Sequence, residues 1–275
     1  MNRLTARETK ERLDALMKDP QTLYLGDIVN RRGRCLGTEV PYSEIVAKRL
    51  LHTHAFPDVL KALPKVPRGY DFIAKDHDGT TLDPTILGLQ QESRVAVALY
   101  NHKILGKLGK VIDYLVPIDI EGKHVGIIDL VTFDAETSTV FVIGYAYNEE
   151  KRETLLRCSL DIATMRNSLD DNRFIQAYHG KLVGEHGAPV DLKEIKIESA
   201  VLLLEGSYQD RSIVVLKRMP HVADLLHDLG IRLFVVGIAL ELRDKPRFTR
   251  KHSLYPYKPV LNYVPVLRER SIPVL

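Results

Sequence analysis

Within the apolar run Gly126-Ile127-Ile128-Asp129-Leu130-Val131, one carboxylate interrupts a strand-like sequence. An ionised aspartate withdrawn from water costs several kcal/mol unless it is hydrated, paired or bound to a cation. Asp129 therefore calls for a physical reason. Solvation or an ion pair would make it structural, whereas further oxygen donors would let it hold a divalent ion that activates water. Other candidates are weaker. His52 and His54 lie two apart, a spacing that suits a metal pair on a strand or loop, but no third ligand is near in sequence. Asp76-His77-Asp78 precedes Gly79 and reads as a turn that could also bind a cation. Arg31-Arg32-Gly33-Arg34 is either a solvated basic turn or a phosphate contact.

The elements that must position Asp129 are readable from the same stretch. Residues 111–118, 125–133 and 140–147 are rich in Val, Ile, Leu, Phe and Tyr and are separated by polar turns, which predicts three strands in a meander. Leu155, Leu156, Leu160, Ile162 and Met165 then recur at roughly helical spacing and supply a cover for the sheet. Upstream, residues 5–18 predict a surface helix, with Thr5 and Glu8 at capping-box spacing. Residues 43–51 predict another, led by Pro41 with Ser43 as a cap, and residues 89–103 a third that carries Glu92 near its start. Residues 19–40 and 56–88 read as irregular. Downstream, a short helix at 170–179, apolar runs at 199–204 and 231–239, and a helix at 219–229 between those runs predict a βαβ unit that extends the meander into a mixed sheet.

A strand, a second strand carrying Ile128-Asp129-Leu130, a third apolar strand, and Glu153-Thr154-Leu155-Leu156-Arg157-Cys158 opening a helix resemble the PD-(D/E)XK nuclease superfamily. Glu205-Gly206-Ser207 after the next apolar run is similar to the same family, so the resemblance spans about residues 89–240. It implies a restriction-endonuclease-like core in which the Asp of the second strand and a Glu-x-Lys on the third hold a metal ion. Asp129 matches the Asp. The Glu-x-Lys falls on Gly144-Tyr145-Ala146, where both functional side chains are missing. The resemblance implies the Tyr145 backbone carbonyl as a second ligand and Glu92 or Asp113 as a third. Losing one electrostatic donor commonly costs ~10²–10³ in rate. Glu149, Glu150, Lys151 or Arg152 would have to substitute in an active enzyme.

The chain has 275 residues, 45% apolar and 27% charged, with 39 basic against 36 acidic residues and a formal charge of +3. These values exclude a disordered chain and leave nucleic acid neither demanded nor excluded. Cys35 and Cys158 match no metal or disulfide spacing, the start is charged and amphipathic, and no run reaches the ~18 apolar residues of a membrane span. The expectation is a cytoplasmic protein without membrane contact. The expected fold class is α/β: a mixed central sheet flanked by helices. Residues 1–88 would form a partly helical N-terminal extension, 89–242 the nuclease-like core, and 243–275 a basic, aromatic, Pro-rich arm. Arg247, Arg250 and Lys251 of that arm interleave with Phe248 and Tyr255, and with Arg157 they are candidates for nucleic-acid contact; equally, the arm could wrap the core or pair with a second subunit.

The functional expectation is a nuclease-like protein with a degenerate metal site that binds nucleic acid, DNA first, or a protein partner or second copy, without efficient cleavage. The alternatives are an active metal-dependent DNA endonuclease with relocated catalytic residues, and a structural subunit of a bacterial defence or DNA-processing complex. Whether the chain is an enzyme stays open, and the cofactor expectation is none, or weakly held Mg²⁺ or Mn²⁺ in an active form.

Overall fold

A computed structural model describes residues 3–67, 72, 91–146, 153–184, 188–239, 264–270 and 272. The sheet has six strands in chain order: β1 (Lys110–Ile120), β2 (Lys123–Asp134), β3 (Thr139–Ala146), β4 (Lys196–Leu204), β5 (Ile231–Ala239) and β6 (Val264–Arg270). β1, β2 and β3 are antiparallel neighbours, β3, β4 and β5 run parallel, and β6 returns antiparallel to β5. The expected α/β class with a mixed, helix-flanked sheet is the observed one. The strands of the meander need only short turns, whereas the parallel steps need the helical crossovers that the sequence supplies.

Eight α-helices are present among the described residues: α1 (Ala6–Leu16), α2 (Tyr42–His52), α3 (Phe56–Lys61), α4 (Gln91–His102), α5 (Leu155–Ser168), α6 (Asp171–Tyr178), α7 (Tyr208–Val215) and α8 (Pro220–Asp228). Thr5 caps α1 with the reciprocal Glu8 contact, as its spacing predicts. At α2 the cap position is Pro41 and not Ser43, because the helix begins at Tyr42. Part of the expected irregular stretch is helical as well: α3 buries Phe56 and Leu60. α7 interrupts the expected direct path from β4 to α8. The end of the arm is a strand, with Pro265 placed on the outermost one, where a missing N–H is tolerated. Asp76, His77 and Asp78 lie outside the described residues.

α5 is the pivot. It packs on β2, β3 and β4 with one side, and α3 and the turn at residues 20–25 lie against it as well. Ten of its fourteen residues are buried, the pattern of a helix enclosed on most sides and not of a surface helix. Glycine makes the close approach possible: a Cβ on Gly126 would stand 2.0 Å from the Met165 methyl, and one on Gly144 would stand 3.2 Å from Ile162 Cβ. The N-terminal segment shares this core, since Leu13, Leu23, Ile28, Leu50 and Phe56 belong to the same buried cluster as Val131, Val142 and Ile162. The opposite face of the sheet is covered by α4, with Val97 and Tyr100 against Tyr114, Leu130, Phe141 and Ile143.

Candidate functional site

Asp129 sits where β2 parts from β3. The β2–β3 ladder ends at Leu130↔Ile143, and beyond it the Asp129 carboxylate accepts the Tyr145 N–H at 2.6 Å. The other neighbour is distorted too. On β1 the register runs unbroken from Tyr114↔Leu130 to Val116↔Ile128, which sets Leu115, with a left-handed φ of +50°, opposite Asp129. A branched apolar residue in that region is a strained arrangement. The inside–outside alternation slips at the same place, for Ile128 and Val131, three apart, both join the α5-side core while Leu130 joins the other. Such slips re-aim side chains. Asp129 is only half-buried, so its carboxylate is reachable from water.

The opening of α5 lies next to this fork. Thr154 caps the helix by accepting the Arg157 N–H, donates its hydroxyl to the Val29 carbonyl at 2.9 Å, and donates its own N–H to Asn30 at 2.8 Å. Arg157 pairs with Glu153 and donates from Nε to the Tyr24 carbonyl at 3.1 Å. Arg157, a candidate for nucleic-acid contact, is thus engaged by Glu153 and the Tyr24 carbonyl. Burial pushes the Cys158 thiol well above its usual range, and the Glu153, Asp161 and Asp129 carboxylates push it further. It is a neutral core residue, not a nucleophile.

Asp161, one turn along α5 from Arg157, was not singled out by sequence reasoning. Desolvation lifts its carboxyl to about 7, with Arg157 opposing and Glu153 assisting that rise. Burial, with Asp161 next in strength, also raises the nearby Tyr24 phenol, whose hydroxyl donates to the Val125 carbonyl. The available signal was an acid in the helix that covers the sheet. The Tyr24 phenol that feels its charge is 137 positions away by residue number (161 − 24), a proximity that no local pattern reveals.

The other expected ligands do not converge on Asp129. Asp113 is completely buried on β1, where it accepts from Tyr178 Oη at 2.6 Å and from the Tyr114 N–H at 2.8 Å. Glu92 lies on α4 and Ala146 ends β3, but their side chains are outside what is described; so are Glu149, Glu150, Lys151, Arg152, Arg247, Arg250 and Lys251 entirely. His54 bonds Asp14 at 2.8 Å while the His52 ring meets His221, so this pair does not form one ligand set. Among the described residues, no three His, Cys, Asp or Glu side chains are grouped to hold a metal ion. A cavity of about 920 Å³ is at the opposite, amino-terminal ends of β4 and β5. Its charges are internally matched, Arg166 by Asp171 and Arg232 by Glu198 and Glu269. Size alone does not make it the site.

No family model, curated protein or solved structure matches the chain. Among the described residues, no helix is long and apolar enough to cross a membrane.

Proposed function

We propose that the chain is a PD-(D/E)XK nuclease-like protein with a degenerate metal site, which binds nucleic acid without efficient cleavage. The observation that carries this reading is the Asp129 carboxylate held by the Tyr145 N–H at 2.6 Å, beside Gly144 and Ala146. Those two positions are where the resemblance puts the second carboxylate and the lysine. The order of helix, three antiparallel strands, helix and parallel strand supports the same reading.

The described donors do not fit a hydrolytic divalent ion. Mg²⁺ or Mn²⁺ chemistry wants several oxygen ligands and something to orient water. Asp129 offers one carboxylate, and one of its oxygens is already engaged by an amide. A Cβ at 144 would stand 3.2 Å from Ile162 Cβ on α5, so a replacement carboxylate there would have to push Ile162 aside. Binding without turnover is the function this donor set suits.

Two measurements test it. Plasmid DNA incubated with Mg²⁺ or Mn²⁺ is expected to show no nicking that Asp129→Ala abolishes; metal-dependent nicking lost in that variant would favour an active nuclease instead. Fluorescence titration against duplex DNA is expected to give affinities that fall linearly in log salt. Absence of binding even at low salt would overturn the nucleic-acid assignment.

A further inference from the structure

We propose a second site, independent of Asp129: His52 and His221 hold a divalent transition-metal ion, Zn²⁺ or Ni²⁺, between α2 and α8, with Glu44 orienting the His221 ring. The local cause is a helix end without a cap of its own. α8 begins at Pro220, and Met219 before it makes no side-chain capping bond. The first backbone N–H groups of such a helix need an acceptor from elsewhere. Glu44 of α2 supplies it. Its buried carboxylate accepts the His221 N–H at 3.1 Å and the Val222 N–H at 3.2 Å.

That contact fixes the chemistry of the His221 ring. Glu44 Oε1 also lies 2.5 Å from His221 Nδ1. With an amide donated to each of its oxygens, the carboxylate serves as an acceptor, so Nδ1 carries the proton and donates. The lone pair of the neutral imidazole is then on Nε2, a nitrogen through which metals bind. Among the described residues, the ring bonds through Nδ1 and Nε2 has no hydrogen-bond partner. A carboxylate behind a ligating histidine recurs in metal sites, because it sets the tautomer and the aim of the ring.

His52 supplies the second ring. It is the last residue of α2, its ring centre is 5.5 Å from that of His221, and the two planes are perpendicular. Two imidazoles that share a tetrahedral ion, each nitrogen ~2.0–2.1 Å from it, have their centres at much this separation. His52 is exposed, so an ion arrives from water without opening the fold. The carboxyl end of α2 adds the negative end of its dipole, which favours a cation. Exposed Asp224, three residues after His221 on α8, adds a negative charge to the same face; Lys48 on α2 opposes it, but is exposed and swings into water. The described residues bring no third His, Cys, Asp or Glu ligand to the pair, so water fills the other positions. Imidazole is a favoured ligand of Zn²⁺ and Ni²⁺, whereas Mg²⁺ takes oxygen. The ion braces the N-terminal segment against the helix that leads into β5.

Calorimetric titration of the full chain with Zn²⁺, Ni²⁺ and Mg²⁺ tests the assignment. Zn²⁺ and Ni²⁺ are expected to bind with Kd on the order of 10–100 µM, and Mg²⁺ at least ~10-fold more weakly. His52→Ala removes an exposed ring that makes no hydrogen bond, so its circular-dichroism melt without metal is expected to be unchanged. Its Zn²⁺ binding is expected to weaken at least ~10-fold. Glu44→Gln is expected to weaken Zn²⁺ about 10-fold, the usual loss when the partner behind a ligating histidine is changed. Zn²⁺ is also expected to raise the thermal midpoint of the wild type and not that of His52→Ala. His54 already engages Asp14 through Nε2 at 2.8 Å, so His54→Ala is expected to bind Zn²⁺ as the wild type does. Should Glu44→Gln fail to fold, His52→Ala decides. Unchanged Zn²⁺ affinity in His52→Ala, equal affinity for Mg²⁺ and Zn²⁺, or a loss in His54→Ala or His77→Ala in place of His52→Ala would overturn the proposal.

Discussion

Asp113 and Asp129 stand on adjacent strands, within two residues of each other in register, and are treated in opposite ways. Asp113 is sealed in the core with a phenol and an amide as donors. Asp129 is half-buried, at the end of a ladder, opposite a strained leucine and beside a glycine that α5 presses against. Burial with partners on hand marks an acid that holds the fold together. Partial exposure where pairing stops and the backbone is irregular marks one that a ligand can reach.

The comparison can be broken most sharply at Asp113. Asp113→Ala is expected to cost about 3 kcal/mol in urea denaturation, since it removes the buried carboxylate that accepts from both Tyr178 and Tyr114; a loss under ~1 kcal/mol would make the two acids equivalent. Asp161 gives the next largest effect, of opposite sign. Its folded-state pKa of about 7 is above the ordinary 3.8, so the folded chain holds this proton more tightly than the unfolded chain. The group's contribution is therefore fully present below about pH 4 and is lost as pH rises through about 7. Asp161→Asn is expected to stabilise the protein at pH 8 by on the order of 2 kcal/mol, after allowing for solvent screening, and to flatten that pH dependence in denaturation curves. Gly144→Ala is expected to cost about 1 kcal/mol, because the new methyl must displace Ile162, and the shift should appear in the thermal midpoint. Asp129→Asn keeps the shape and one acceptor oxygen, and is expected to change stability by less than ~1 kcal/mol by the same measurement.

Much of the frame is legible in the sequence where one element satisfies itself locally. The apolar runs of β2, β3 and β5, the Thr5 cap and the stripe of α5 each carry their signal within a few residues. α7 was missed because its sequence, Tyr-Gln-Asp-Arg-Ser-Ile-Val-Val, buries only Gln209 and leaves Val214 77% exposed, so it lacks the periodicity that betrays a packed helix. β6 was missed because Pro265 and its charges argue against a strand, and only its position at the sheet edge makes them acceptable. At the candidate site, Asp129 was conspicuous as a charge in an apolar run. Asp161 was not, since the burial that raises its pKa belongs to the packed fold and not to its neighbours in sequence. The basic run at Arg31 was visible too, but Tyr208, on which Arg32 stacks, belongs to the helix that was missed.

The enclosure of α5 has a consequence for how the chain is made. Leu23, Ile28, Phe56 and their neighbours emerge from the ribosome well before the helix they pack on, roughly 90 residues ahead of it when counted from residue 67 to residue 155. At ~5–20 residues per second this interval is about 4–20 s. Throughout it the early segment lacks the helix that completes its core, and side chains destined for α5 remain open to a holdase or to another nascent chain. Translation speed across the meander therefore sets how long the newborn protein is vulnerable to aggregation.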